Sequence, residues 1–278
     1  MTKTTTSRVG GANWSMDEIP YDQIDSTLIQ DKTELFNIIC AASFIEITSD
    51  LYTHNLLEFY EGDAEIEDWL ANYWEREEVQ HGAALKRYVQ VVWPDFDWDR
   101  AYRGFYEEYS RFAVMEGLAE TRALEMVARC VVETGTSAFY RMLSDAAPEP
   151  VLKQIMANIS EDEVRHYKHF YHFFLRYREY DRPSKFAVLR TLWTRGAGVK
   201  AEDAYVASKH VFMVANPGAP YTQADYDKFR ASFRRIGQHS FPYVMACKMI
   251  LKPLGLSASV GRVAQPALEY TTRFLFSR

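Results

Sequence analysis

Four stretches of this chain, each about thirty residues long, repeat apolar side chains at helical spacing, and each repeat is interrupted at mid-length by a glutamate. An α-helix turns about 100° per residue, so positions three, four and seven apart share a face. The first stretch opens at Asp31-Lys-Thr-Glu34, a spacing suited to an N-terminal cap, and runs to Gly62. Its stripe is Leu35, Ile38, Ile39 and Ala42, and the next member is Glu46. The second runs from about Ala64 to Trp93, where Pro94 stops it. Trp74, Leu85 and Tyr88 define its stripe, and Glu78 and His81 fall on it. The third, from about Gly117 to Ala147, gives Ala123, Met126, Cys130, Glu133 and Tyr140. The fourth, from Pro148-Glu-Pro150 to Arg182-Pro183, gives Leu152, Ile155, Met156 and Ile159, then Glu163 and His166, then Phe170 and Phe173.

A buried carboxylate without a partner is costly enough that it normally neutralises or pairs. Four at one level of a core would repel strongly. Two divalent cations would balance four negative charges, and two neutral imidazoles would complete the coordination. One Glu from each of two helices and Glu-x-x-His from each of the other two is the ligand pattern of di-iron and di-manganese carboxylate bundles. The three-residue spacing lets one helix face offer an oxygen and a nitrogen to the same site. Isolated Glu-x-x-His pairs carry little information; their order here, one ligand set per long helix, carries much more.

The remaining composition agrees with a helical core. The chain has 278 residues, 15% of them aromatic, with only 13 Gly and 10 Pro, which argues against an all-β sandwich and against disorder. The expectation is an all-α protein: a four-helix bundle over residues 26–182 with a helix-containing crossover at 95–112. A polar, flexible arm over 1–25 precedes it. Additional C-terminal helices over 183–278, broken by Gly196, Pro217-Gly218, Pro220, Pro253 and Pro266, pack on it as part of a single domain. No apolar run approaches the roughly 18 residues needed to span a bilayer, and the N-terminus has no apolar signal region. No membrane partner is expected. Three scattered cysteines, Cys40, Cys130 and Cys247, fit reduced thiols in the cytoplasm.

Net charge is −6, unevenly spread. Residues 1–182 carry 18 Lys and Arg against 33 Asp and Glu; residues 183–278 carry 14 against 5. The acidic part makes nucleic acid an improbable partner. The basic part either packs on the acidic body or docks something acidic. Lys209, Lys228, Arg230, Arg234 and Arg235 are the candidate docking cations, for a carrier protein or a ferredoxin.

Glu77-Glu78-Val-Gln-His81-Gly82 resembles the E-E-x-x-H-G motif of soluble acyl-carrier-protein desaturases, and Asp162-Glu163-Val-Arg-His166 resembles their D-E-x-R-H motif. Glu133-Thr-Gly-Thr136 places a threonine three residues after the third ligand, as in that family. The resemblance covers about residues 30–180 and implies a ferritin-like bundle. It also implies two iron ions held by Glu46, Glu78, His81, Glu133, Glu163 and His166, a set that would also accept manganese. Asp162 would orient a ligand histidine, and Thr136 would assist proton delivery to reduced oxygen. The implied partners are O2, an electron donor such as a ferredoxin, and an apolar or acyl substrate, free or on a carrier protein; a homodimer is expected. The chain is shorter than plant desaturases, and its tail does not match them. The short gaps between ligands are also similar to aldehyde-deformylating oxygenases. Di-iron arylamine N-oxygenases carry an extra histidine where this chain has Ile159, and ribonucleotide reductase small subunits begin their ligands with Asp rather than Glu46.

Three functional classes follow. The first is an enzyme activating O2 to desaturate or hydroxylate an apolar substrate, with N-oxygenation or deformylation behind it. The second is an iron-handling ferroxidase, and the third a structural bundle. Among the other residues, His169 and His172 read as positions toward the exposed end of the fourth helix. His54, His210 and His239 read as ordinary histidines. Tyr140 is the tyrosine nearest the ligands in phase, and Trp14, Trp69 and Trp74 are candidates for electron delivery.

Overall fold

The computed structural model describes residues 13–113, 117–197 and 202–276, and among these every regular element is helical. Twelve α-helices follow in order: α1 (Thr33–Ile47), α2 (Ser49–Phe59), α3 (Ala64–Trp69), α4 (Glu75–Val92), α5 (Trp98–Ala113), α6 (Arg122–Ala146), α7 (Pro150–Asp181), α8 (Lys185–Ala197), α9 (Glu202–Ala215), α10 (Gln223–Ser240), α11 (Tyr243–Leu251) and α12 (Ala258–Phe276).

Two of the four expected long helices are divided, each for a local reason. The first breaks at Thr48, whose hydroxyl donates to the carbonyl of Phe44 at 2.7 Å and competes with the backbone ladder. The second contains a π-helical turn, Leu70–Trp74, between α3 and α4. That turn inserts an extra residue just before Glu77 and Glu78, and such bulges recur at functional sites. The third starts later than expected: Thr121 caps α6 by accepting from the Leu124 N–H at 3.3 Å. The fourth is continuous over its expected length. Buried Glu149 accepts from the N–H groups of Val151 and Leu152 and from the Tyr88 hydroxyl, while Pro150 occupies the first turn.

α6 packs along α7, and α1 along α4. The second pair comes close together at Gly82. A methyl group there would lie 2.6 Å from the Ile47 nitrogen and 2.9 Å from the Ser43 carbonyl oxygen. Glycine is what lets Glu46 come level with Glu78 and His81. Gly82→Ala is therefore expected to cost about 2–3 kcal/mol in urea unfolding, because backbone cannot move aside as a side-chain tip can. Wild-type stability in that variant would refute the contact.

The later helices spread over both pairs: α9 covers α1 and α5, α8 and α11 cover α6, α10 touches α1 and α6, and α12 lies on α11. Lys209 holds Glu108 at 2.8 Å, Arg235 pairs with Glu34, and Lys228 with Asp225 at 3.3 Å. Much of the basic charge thus ties the tail to the acidic body or to itself.

Two expectations need correction. The polar arm does not extend through residue 25. From residue 13 on the chain is packed, with Trp14, Ile19 and Tyr21 buried in the core, because the apolar residues scattered in that segment fill the seam beside α4 and α7; residues 1–12 lie outside the described residues. One helical stretch is also more apolar than the sequence reading expects. The helical stretch Thr33–Phe59 is long and apolar enough to cross a membrane by length and composition. In the structure about two thirds of its most apolar part is buried within the protein, and it carries buried Glu46.

Candidate metal centre

The interior is divided into two apolar clusters. One contains Phe44, Ala84, Tyr140 and Ile159; the other contains Leu56, Trp74, Val131 and Tyr167. Along α6 and α7 the change from one cluster to the other falls at Glu133 and Glu163, and between the π turn and α4 it falls around Glu78 and His81; in the first stretch it comes a few residues after Glu46. A polar layer crosses the core there.

All six expected ligands meet in that layer. Glu46, Glu78, His81 and Glu163 place one donor atom each within 4.8 Å of one another, and so do Glu78, Glu133, Glu163 and His166. Glu78 and Glu163 belong to both groups, as bridging carboxylates between two cations would. None of the six is more than 7% exposed. His81 Nδ1 lies 3.3 Å from Glu163 Oε1, and 3.9 Å from oxygens of Glu46 and Glu78. His166 Nδ1 lies 3.0 Å from Glu78 Oε1, and 3.8 Å from oxygens of Glu133 and Glu163.

Four donor atoms in this layer find no hydrogen-bond partner: the Nδ1 atoms of His81 and His166, Glu133 Oε2 and Glu163 Oε1. Buried polar atoms are rarely orphaned. Here the orphans are lone-pair donors of two imidazoles and two carboxylates facing one another, which is the arrangement a cation would satisfy. The residues therefore fit a pair of divalent ions.

Without cations the layer adjusts by holding protons. Burial, with the neighbouring charge of Glu163, drives Glu46, Glu78 and Glu133 above the ordinary carboxylate range. Glu163 is pushed up by burial too, yet ends well below that range because the imidazoles of His166 and His81 stand beside its carboxylate. Burial opposes charging of the two imidazoles, but their carboxylate partners raise both to about 10.

Behind each imidazole stands a carboxylate from the other Glu-x-x-His helix. His81 Nε2 lies 3.1 Å from Asp162 Oδ2, and His166 Nε2 lies 2.7 Å from Glu77 Oε2. Arg165 bridges the two, at 2.6 Å from Asp162 and 3.1 Å from Glu77. Each partner occupies the position just before a ligand glutamate, about 100° round the helix from it, so it faces sideways to the neighbouring helix. These pairs aim Nδ1 at the centre.

Asp162 stands where the motif resemblance implies, behind a ligand histidine. The sequence pattern assigns no such role to Glu77, Arg165 or Trp14, although the acidic residue preceding both ligand glutamates is a visible signal. Trp14 donates to Asp162 Oδ2 at 2.8 Å, and its ring lies parallel to His81 with centroids 6.2 Å apart. Thr136 is more than a small spacer, since its hydroxyl donates to Glu163 Oε2 at 2.7 Å. Tyr140 donates to Glu46. His169 and His172 lie outside the cluster; His169 is exposed and stacks on Trp69, whose ring also meets His166 edge-on. No protein-family model and no curated protein matches this chain, so the geometry of this layer carries the functional reading.

Proposed function

We propose that the chain is a ferritin-like di-iron carboxylate protein that uses O2 to desaturate or hydroxylate a largely apolar substrate, free or carrier-bound. The observation that supports this most is the pair of four-donor groups sharing Glu78 and Glu163. Iron, rather than manganese, follows from the motif resemblance to acyl-carrier-protein desaturases. Bound as a pair, the two irons would supply the electrons that reduce O2 to a state able to attack a C–H bond.

The chain's own residues have four tasks. Glu46, Glu78, His81, Glu133, Glu163 and His166 hold the ions, with Asp162 and Glu77 fixing the imidazoles. Fully buried Met126, Ile159, Phe170 and Tyr140 line the neighbouring core and exclude water, which favours an acyl chain over a sugar. Tyr140 holds a proton on Glu46 Oε1 through its hydroxyl. Thr136 Oγ1, half-buried and bonded to Glu163 Oε2, stands where a proton can pass from outside to the ligand layer. Three buried free cysteines agree with a reducing compartment such as the cytoplasm. Electrons would come from an external donor such as a ferredoxin, and those cations of residues 183–278 not bound to the body would receive an acidic carrier or donor.

The test reduces the iron-loaded protein and adds O2 with and without acyl chains free and carrier-bound, amines and long-chain aldehydes, following products by mass. Loss of two hydrogens identifies desaturation, and gain of one oxygen hydroxylation. N-oxygenated or deformylated product would replace this reading with those of the sister families. A ferric mineral with no oxidised organic product would leave a ferroxidase.

A further inference from the structure

α8 is seated on α6 by Val188 and Leu192, both buried. Its opposite face carries Phe186, Leu189 and Trp193 at i, i+3 and i+7, and these are 75%, 51% and 75% exposed. Tyr180, at the end of α7, is 80% exposed. Trp193 is the only exposed tryptophan among the described residues. Aromatic side chains bury about 150–250 Å² each when covered, so leaving several bare on adjoining turns marks a contact surface.

The charges on α8 itself have one sign. α8 contains Lys185, Arg190 and Arg195 and no acidic residue, and Arg178 and Arg182 precede it. The acids near it are already engaged: Glu120 with Arg190 at 2.6 Å, buried Glu125 with Arg129 at 2.8 Å, Glu179 with Arg178 at 3.8 Å, and Asp181 on the Ala123 N–H at 2.7 Å. A second copy docking this face on itself would bring Lys185 of both copies into one interface, a like-charge contact. A ridge of Phe, Leu and Trp flanked by Lys and Arg is instead the pattern of a helix that lies in a lipid interface, its rings at headgroup depth.

We propose that the outer face of α8, with Phe186, Leu189, Trp193 and the adjoining Tyr180, is a peripheral docking surface for an anionic lipid membrane, with Arg182 and Lys185 meeting the headgroups. This contact differs from a spanning helix and does not depend on the metal centre.

The experiment mixes the full-length protein with vesicles of phosphatidylcholine alone and of equimolar phosphatidylcholine and phosphatidylglycerol, reading binding by co-sedimentation and tryptophan emission. Binding to the anionic vesicles only, weakened by salt, with blue-shifted emission shielded from acrylamide, is the expected result. Trp193→Glu and Phe186→Glu should each lower partitioning about tenfold or more, and Lys185→Gln about fivefold. These side chains are exposed, so the variants should keep the wild-type melting temperature and circular dichroism. Tyr270→Glu, at an equally exposed site on α12, should leave binding near wild type. Several outcomes would overturn the proposal: no vesicle binding, equal binding to neutral vesicles, unchanged binding of Trp193→Glu, or an equal loss in Tyr270→Glu. A dimer that Trp193→Glu converts to monomer, or salt-sensitive binding of an acidic protein lost in that variant without any lipid binding, would assign the face to those occupants.

Discussion

His81→Ala and Glu78→Ala are expected to strip the protein of most of its metal, from about two ions per chain to less than about one, measured by elemental analysis after anaerobic loading with ferrous iron. The expectation rests on how the ligands are shared. Glu78 belongs to both four-donor groups, so its loss opens both cation positions. His81 supplies a nitrogen to one group, and its Nε2 is committed to Asp162, so no other side chain in that group can replace it. The alanine variants should still fold, since each removes a group whose burial without a cation is itself costly. Asp162→Asn provides the graded comparison. It keeps the shape but loses the charge that orients His81, and affinity should fall about 10–100-fold with stoichiometry unchanged at saturating iron. Wild-type metal content in both alanine variants would refute the ligand assignment.

Removing the metal should lower stability, and more so as the solution becomes more alkaline. At a thousandfold excess over Kd, bound ions add about 4 kcal/mol, or about 10 °C in Tm for a chain of this size. The pH trend follows from the proton inventory of the metal-free layer. His81 and His166 move from 6.5 to about 10 on folding, so their contribution is complete below about pH 6.5 and disappears as pH rises through about 10. Glu46, Glu78 and Glu133, also raised, act in the same direction, because the unfolded chain ionises where the folded one is still held protonated. Asp162, Glu77 and Glu163 are lowered, so their stabilisation is complete at neutral pH and is lost only on strong acidification. Between about pH 6 and about pH 8 the metal-free protein should therefore weaken as pH rises. Cations displace those protons, so metal affinity rises over the same interval. The Tm gap between loaded and chelator-treated protein should widen with pH. A gap that narrows or stays constant would show that cations are not bound by this layer.

The way the layer is built explains why both effects should be large. It separates two apolar clusters, so beyond Thr136, Tyr140 and the carboxylates behind the imidazoles its groups have few polar neighbours to turn to. Gly82 lets α1 approach α4, and the paired imidazole–carboxylate contacts between α4 and α7 lock the two Glu-x-x-His helices in register.

The periodicity of the sequence alone determined that the chain is helical and that Glu46, Glu78, His81, Glu133, Glu163 and His166 share inward faces. A carboxylate on an apolar stripe is a local contradiction, and it can be read without coordinates because helical phase is a property of consecutive residues. Glu149 and Pro150 likewise announced the start of α7, since a cap is made by neighbours in the chain. What depended on residues distant in sequence was decided only by the tertiary structure. The pairing of Asp162 with His81 and of Glu77 with His166 crosses between helices more than eighty positions apart. Trp14 entered the site from a segment whose composition reads as a loose arm, because burial against α4 and α7 outweighs its local polarity. The break at Thr48 and the π turn before Glu75 were hidden as well, each resting on a single backbone hydrogen-bond choice within an otherwise helical pattern. The exposed ridge of α8 is the clearest case. Its apolar spacing is that of any amphipathic helix, and only the packing of Val188 and Leu192 on α6 shows that Phe186, Leu189 and Trp193 are left facing outward.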